Sequence, residues 1–322
     1  MKSKITTISD DASFRKFYRL TKNKKNTILV YAKKEKYQNL IAYTSVNKFL
    51  REKKILAPKL YKHNLKKGLI IIEDFGKLSF HKVLLKKKNK FAVYKKLVDL
   101  LIKIQKIKPT KRIKSIINKP HKINKYSIKY LQKESNLFFD WYLPLFLNKK
   151  KTYKIKKKAN KILLKAYKRL YFSNSVFVHR DFHSQNLMKV KNKIGIIDNQ
   201  DALIGNPAYD LVSLIDDVRI ETSKKLKEKI YNYYIKKKFK KNIVDKSNFL
   251  QDFEILSVQR SLKIIGIFAR LFKRDSKNRY LKLIPYTWNL LEARMNLEIF
   301  EELKKLFKKN INKKIRKKVF IK

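Results

Sequence analysis

The chain has 322 residues and a mass of 38.7 kDa, and 44% of its residues are hydrophobic, enough to bury the cores of two lobes in a globular protein. It has no cysteine, which excludes disulfides and thiolate metal sites, and no apolar stretch long and uninterrupted enough to span a bilayer. The net charge of +58 is spread from end to end, and Gly 5 and Pro 6 stand where average usage gives roughly 20 and about 16, so the basicity reads as the codon usage of an AT-rich genome rather than as a dedicated nucleic-acid surface. Non-specific adhesion to polyanions at low salt is still expected. The start, MKSKITTISDD, lacks the apolar core of a secretory signal, so a cytoplasmic protein with no membrane partner and no specific nucleic-acid partner is expected.

In chain order, Ser13–Leu20 mixes aromatic and basic residues, and Thr27–Ala32 is β-branched and apolar enough for a strand, with Thr21–Asn26 as the turn between them. Asn39–Lys53 has helical spacing, with Leu40, Tyr43, Val46 and Leu50 on one face, and Pro58 lies beyond its end. Leu69–Ile72 reads as a buried strand running into Glu73-Asp74-Phe75-Gly76. Helices are expected over Phe91–Ile107, where Val93, Leu97, Leu100, Leu101 and Ile104 recur at helical intervals, then in the aromatic-rich Tyr126–Leu147, over Leu250–Phe272 and over Pro285–Phe307. The order predicts an α+β, bilobal, protein-kinase-like fold. Residues 1–75 would form a small strand lobe that binds nucleotide, and residues 76–322 a larger helical lobe with the catalytic and substrate groups.

The most informative stretch runs from Val176 to Asp217. The apolar Val176–Val178 delivers His179-Arg180-Asp181 to a loop, and Asn186 follows five residues after Asp181. Leu187-Met188 leads through the turn Lys191-Asn192-Lys193 into Ile194–Ile197, which ends on Asp198. Two carboxylates and an amide at strand ends are what phosphoryl transfer from a metal nucleotide requires. Asp181 is placed to accept the proton of an attacking hydroxyl, while Asn186 and Asp198 supply oxygen ligands for Mg²⁺. His179 reads as structural, packing beneath the loop and bonding its backbone. Asp210, after Pro207, reads as a helix N-cap and loop anchor.

Several segments carry a family resemblance. HRDFHSQNLM with IGIIDNQDA resembles the aminoglycoside phosphotransferase and choline kinase superfamily. Asp11–Arg19 (DASFRKFYR), Ile71–Gly76 (IIEDFG), Tyr209–Leu214 (YDLVSL) and Gln259–Leu271 (QRSLKIIGIFARL) resemble, in order, segments of the bacterial anomeric N-acetylmuramate/N-acetylglucosamine kinases of cell-wall recycling. The resemblance implies ATP-dependent phosphorylation of the C1 hydroxyl of an amino sugar, with ATP and Mg²⁺ as cofactors. It places Ser13 and Arg15 near the phosphates and Glu73 to Phe75 at the adenine edge, and lets His183, Gln200 and Asp201 face the sugar. Gln200 and Asp201 serve equally well as bonds within their own loop.

The sequence also departs from the wider kinase pattern. Asp10-Asp11-Ala12-Ser13 stands where a Gly-rich phosphate loop is usual, and Lys33 and Lys34 follow the strand that would present a lysine. Glu52 is the one glutamate on the Asn39–Lys53 helix, and Asn199 replaces the usual aromatic after Asp198. Arg15 or Arg19 would then share the phosphate charge. The alternatives are another acceptor of the superfamily, such as an aminoglycoside or choline, and a basic nucleic-acid-binding or inactive kinase-fold protein.

Overall fold

The strand signals near the start build one antiparallel sheet. In the computed structural model, which describes residues 4–8, 14–33, 37–239 and 243–317, β1 (Lys4–Ile8), β2 (Lys16–Lys22), β3 (Lys25–Tyr31), β4 (Leu60–Asn64) and β5 (Leu69–Glu73) lie in the order β1-β2-β3-β5-β4. The β2–β3 hairpin turns on Asn23 and Lys24, with φ of 50° and 59°. Two left-handed residues in succession match the twist of the flanking strands, so the turn is tighter than the polar Thr21–Asn26 segment suggests. β1 and β4 escape sequence inspection because they are exposed edge strands of mixed polarity, without an apolar period. Ile28, Val30, Ile70 and Ile72 share one face of the sheet and pack with Leu40 and Tyr43 of α1 (Gln38–Glu52).

The expected face of α1, Leu40, Tyr43, Val46 and Leu50, is buried, but so are Thr44, Ser45, Asn47 and Phe49. The helix is covered on a second side by the turn Asn199–Asp201. α2 (Phe80–Lys86) and α3 (Lys90–Gln105) are N-capped by Ser79 and Asn89. α3 buries Tyr94, Leu97, Val98, Leu101 and Ile104, with Val93 and Leu100 at its margin. β6 (Arg112–Ile113) pairs with β7 (His121–Lys122), β8 (Val176–Val178) with β11 (Leu203–Gly205), and β9 (Leu187–Val190) with β10 (Lys193–Ile196). Residues 1–124 and 176–204 thus form one compact unit, which contains both the sheet and the segment from His179 to Asp201.

The second compact unit, residues 125–175 and 205–322, is helical. It comprises α4 (Ile128–Leu137), α5 (Lys149–Lys168), α6 (Ala208–Ile215), α7 (Lys224–Phe239), α8 (Ile243–Asp275), α9 (Ile284–Arg294), α10 (Glu301–Asn310) and α11 (Lys313–Lys317). The whole is bilobal α+β, with an N-terminal sheet lobe and a helix-rich C-terminal lobe. Among the described residues no helix is long and apolar enough to cross a membrane.

Two helical expectations are corrected. Tyr126–Leu147 is not one helix: Ser127 caps α4, and the chain widens into a π-helical turn at Phe138–Tyr142 before a short 3₁₀ turn at Leu143–Leu145. The cause lies across the interface. Gly266 of α8 meets the backbone at this junction, and a Cβ on it would stand 2.2 Å from the carbonyl carbon of Leu137. The widened turn then sends Phe138, Phe139 and Tyr142 into a cluster with Trp288 and Phe307. Pro285–Phe307 is likewise broken. Pro285 opens α9, as its missing N–H permits, and Asn296 ends it by donating its side-chain amide to the Ala293 carbonyl at 2.9 Å and to Glu254 at 3.1 Å. Asp210 is not the N-cap of α6; Asn206 accepts the Ala208 N–H at 2.9 Å, and Asp210 is buried within the first turn.

The buried carboxylates of Glu134 and Asp216 in this unit meet cations, whereas the buried Asp252 accepts from the Tyr171 and Phe172 N–H groups at 2.7 and 2.9 Å and from Asn206 at 2.6 Å. Glu134 accepts from Lys263 at 3.1 Å and from Gln259 at 3.2 Å, joining α4 to α8. Asp216 accepts from Arg294 at 2.9 and 3.1 Å, Lys227 at 2.7 Å and Ser257 at 2.9 Å. Burial alone would raise the Asp216 carboxyl, but Lys227 and Arg294 outweigh it and hold it down at about 2.

Two measurements test this packing. Gly266→Ala forces a methyl group into backbone and should cost about 3 kcal/mol in denaturant unfolding, the upper end for overpacking. Because the carboxyl of Asp216 is depressed in the folded state, its stabilisation is complete above the ordinary carboxylate value of about 4 and fades as pH falls toward 2. Asp216→Asn should lose about 3–5 kcal/mol at pH 7 and flatten the acid limb of the stability profile.

Candidate active site

The geometry of the candidate site starts from a hairpin register. β9 and β10 pair Leu187 with Ile196, so the residues just outside the ladder, Asn186 and Ile197, face each other, and the Ile197 N–H donates to the Asn186 carbonyl at 3.0 Å. Asp198 is the next residue. One backbone pairing therefore brings the amide and the carboxylate side by side. The hairpin is fastened to the sheet lobe by the Ile196 N–H to Leu56 O at 2.8 Å and the Lys189 N–H to Leu78 O at 2.8 Å.

His179 fixes the other loop. Its Nδ1 accepts the Asp181 N–H at 3.2 Å, which leaves Nε2 protonated to donate to the Ile197 carbonyl at 3.0 Å. The ring is buried and bonds backbone on both sides, joining the Asp181 loop to the strand that ends on Asp198. Asn186 uses its NH₂ group on the Asp181 carbonyl at 3.0 Å, and its Oδ1 receives no hydrogen bond among the described residues. The His183 N–H donates to the Asp181 carbonyl at 2.9 Å, and its ring is buried with Nε2 3.5 Å from Asn186 Nδ2. Asp181, Asn186 and Asp198 are thus brought onto two adjoining loops by their own backbone.

Asp198 has φ 67° and ψ 41°, and Arg180 has φ 74°. Left-handed backbone at a non-glycine residue costs of order 1–3 kcal/mol and persists where its surroundings over-determine it. The surroundings do so here. Arg15, only 3% exposed, donates from Nη2 to Asp198 Oδ1 and from Nη1 to Gln200 Oε1 at 2.9 Å. Its guanidinium carbon sits 5.3 Å from the Phe17 ring centroid and 5.4 Å from that of Tyr43. Burial pushes the Tyr43 phenol up to about 12, with Arg15 opposing. Gln200 Nε2 donates to Asp201 Oδ2 at 2.9 Å, and Arg180 Nη1 donates to the Asp201 carbonyl at 3.1 Å. Gln200 and Asp201 therefore brace their own turn. Asn199, fully buried where an aromatic was expected, donates to Asn47 of α1 at 2.8 Å.

At the end of β5, Glu73 accepts from Arg51 and from the Lys59 N–H, both at 3.1 Å, so its carboxylate braces the approach to β4. Arg19 forks onto Asp74 and reaches the Gly76 carbonyl at 3.1 Å. Asp74 and Phe75 follow the last strand pair, Thr27 with Glu73. The Phe75 ring packs against Gly195, where a Cβ would stand 2.6 Å from the ring. Ser13 and Lys34 lie outside the described residues. Sequence inspection missed Asn47, Tyr43 as a cage wall and Arg180; the available signal was Asn47, an amide among the apolar positions of α1.

The donor set suits a hard divalent ion. Among the described residues no three His, Cys, Asp or Glu cluster, and the pair on hand is one amide oxygen and one carboxylate. Mg²⁺ takes few protein oxygens of this kind and completes its octahedron with water and phosphate. Gly195→Ala tests the packing beneath this site. The added methyl must displace Phe75, costing about 1–3 kcal/mol in denaturant unfolding and weakening ADP binding measured by calorimetry.

Comparison with known proteins bears on the family and the fold. The sequence matches the phosphotransferase enzyme family (APH) over residues 4–239. It is 27% identical over 290 residues to the N-acetylmuramate/N-acetylglucosamine kinase of Neisseria meningitidis serogroup B, covering 89% of this chain and 84% of that one. The Pseudomonas aeruginosa protein of the same name is 28% identical over 288 residues, covering 88% and 82%. Among solved structures, the ADP-bound aminoglycoside phosphotransferase APH(2'')-Ib shares the fold with a TM-score of 0.60 at 14% identity, covering 90% of this chain and 92% of that one. A Plasmodium vivax ethanolamine kinase also has a TM-score of 0.60, at 13% identity over 93% and 84%. The chain belongs to the phosphotransferase enzyme family, a kinase that passes a phosphoryl group from a nucleotide to a small molecule.

Proposed function

We propose that this chain phosphorylates the anomeric hydroxyl of an N-acetylated amino sugar, N-acetylmuramate or N-acetylglucosamine, using ATP and Mg²⁺ in the cytoplasm. The observation that carries the reading is the pairing of the Asp181 loop with the Asn186–Asp198 hairpin end, an acid–base group beside a metal-binding pair. In the reaction the C1 oxygen forms a bond to the γ-phosphorus while the bond from that phosphorus to the β,γ-bridging oxygen breaks. ADP leaves, and the hydroxyl proton passes to the Asp181 carboxylate. Asn186 Oδ1 and the Asp198 carboxylate would hold the metal, which supplies charge neutralisation on the phosphates. The backbone from Glu73 to Phe75 offers the adenine edge its partners. Of the proposed sugar contacts His183 lies on the Asp181 loop, and Gln200 and Asp201 act on the sugar only by giving up bonds within their turn.

The names of the relatives favour the amino sugar, and so does charge. A cationic acceptor such as choline or an aminoglycoside needs carboxylates not already neutralised. In the helical unit the buried Glu134 faces Lys263, and Asp216 faces Lys227 and Arg294. That pairing supports a neutral or anionic acceptor.

The test is incubation with ATP, Mg²⁺ and, separately, N-acetylmuramate, N-acetylglucosamine, choline and kanamycin, read by ³¹P NMR. An anomeric sugar phosphate is expected, and absence of product from both sugars overturns the reading. Asp181→Asn should lower kcat on the order of 10²-fold or more, the usual worth of a positioned base, while ADP binding stays within about twofold.

A further inference from the structure

The family resemblance sets Arg15 near the phosphates, but its surroundings give it a different role. A guanidinium is rarely taken out of water without several partners. Arg15 is 3% exposed, walled by the rings of Phe17 and Tyr43, and its two terminal nitrogens are divided between the carboxylate of Asp198 and the amide oxygen of Gln200. The planar fork sets both partners at once, which a lysine ammonium cannot do. It holds the carboxylate by Oδ1, and Oδ2 receives no hydrogen bond among the described residues. The carboxylate belongs to a residue in left-handed backbone, with its side chain 36% exposed. Arg19, the other candidate cation of this strand, is committed to Asp74.

We infer that Arg15 is a positioning residue for the metal: it fixes the Asp198 carboxylate so that the free oxygen faces the ion, and it acts through Asp198 rather than on the phosphates. This rests on the phosphotransferase reading above and deepens it. Among the described residues Glu52 of α1 makes no ion pair with a strand lysine, and the Asp198 turn is tied to the sheet lobe by Arg15 and by the Asn47–Asn199 amide bond. A residue acting through Asp198 should change how the site answers Mg²⁺ without changing its hold on the nucleotide itself. A phosphate anchor should do the reverse.

The experiment is calorimetric binding of AMP-PNP to the full chain over a range of Mg²⁺ concentrations and in EDTA, for the wild type, Arg15→Met and Arg15→Lys. Arg15→Met should raise the half-saturating Mg²⁺ concentration by about tenfold or more, the scale of losing a ligand-orienting partner. Its metal-free binding should stay within about twofold of the wild type. Arg15→Lys keeps the charge but not the fork and should show a smaller rise, about threefold. An unchanged Mg²⁺ midpoint in Arg15→Met overturns the inference, as does an equal loss with and without metal. If Arg15→Met gives no cooperative melt, Arg15→Lys decides, and a wild-type midpoint there overturns it. Failure of the wild type to bind Mg²⁺·AMP-PNP at all sinks the phosphotransferase reading itself, and this inference with it.

Discussion

A buried guanidinium requires that its charge be answered, and the answer Arg15 receives from Asp198 organises the sheet-containing unit. Desolvating two charges is expensive, and the cost is recovered only where geometry and further hydrogen bonds are good. Here Gln200 takes the second arm of the fork and the faces of Phe17 and Tyr43 cover the rest. The consequence travels along the chain. With Asp198 held, the turn Asn199–Asp201 packs on α1, Asn199 reaches Asn47, and Arg180 closes the far side through the Asp201 carbonyl. The left-handed residues Arg180 and Asp198 sit at the two ends of this brace, where strain of order 1–3 kcal/mol each is offset by the bonds around them.

The same turn is held from beneath by backbone rather than by charge. His179 donates to Ile197 O and accepts from the Asp181 N–H, and Ile197 donates to Asn186 O. These bonds close a ring through the Asp181 loop, Asn186 and the end of β10, so none of the three polar groups moves without the others. Side-chain chemistry is placed by main-chain geometry, and Asp198, with an exposed edge and a strained backbone, receives the buried Arg15.

Much of this was legible in the sequence, and the part that was not has a common cause. The juxtaposition of the Asp181 loop with Asn186 and Asp198 was readable because strand ends, a turn and three polar residues follow each other within some twenty residues, where local spacing determines proximity. The α1 and α3 faces were readable from their period. Unreadable were contacts set by distance along the chain: Arg15 meets Asp198 across 183 positions and Asn199 meets Asn47 across 152. The widened turn at Phe138–Tyr142 depends on Gly266 in another helix, and the break after α9 on one asparagine that competes for a carbonyl. Neither alters local periodicity. The edge strands β1 and β4 lacked any period to find.

The strong positive charge gives these pairings their meaning. With 83 Lys and Arg against 25 Asp and Glu, carboxylates are the scarce groups. Several of them stand where a cation is buried or a turn fixed: Asp198 on Arg15, Asp74 on Arg19, Glu134 on Lys263, Asp216 on Lys227 and Arg294. The surplus cations lie on exposed helix faces, where mutual repulsion is screened within about 8 Å at physiological salt. A field of this sign raises the local concentration of anions without selecting among them. Selection therefore falls to the few acidic groups held in place, and Asp181 and Asp198 stand on adjoining loops tied together by backbone. The excess charge acts at long range on any anion, whereas the scarce charge acts only where the fold has fixed it.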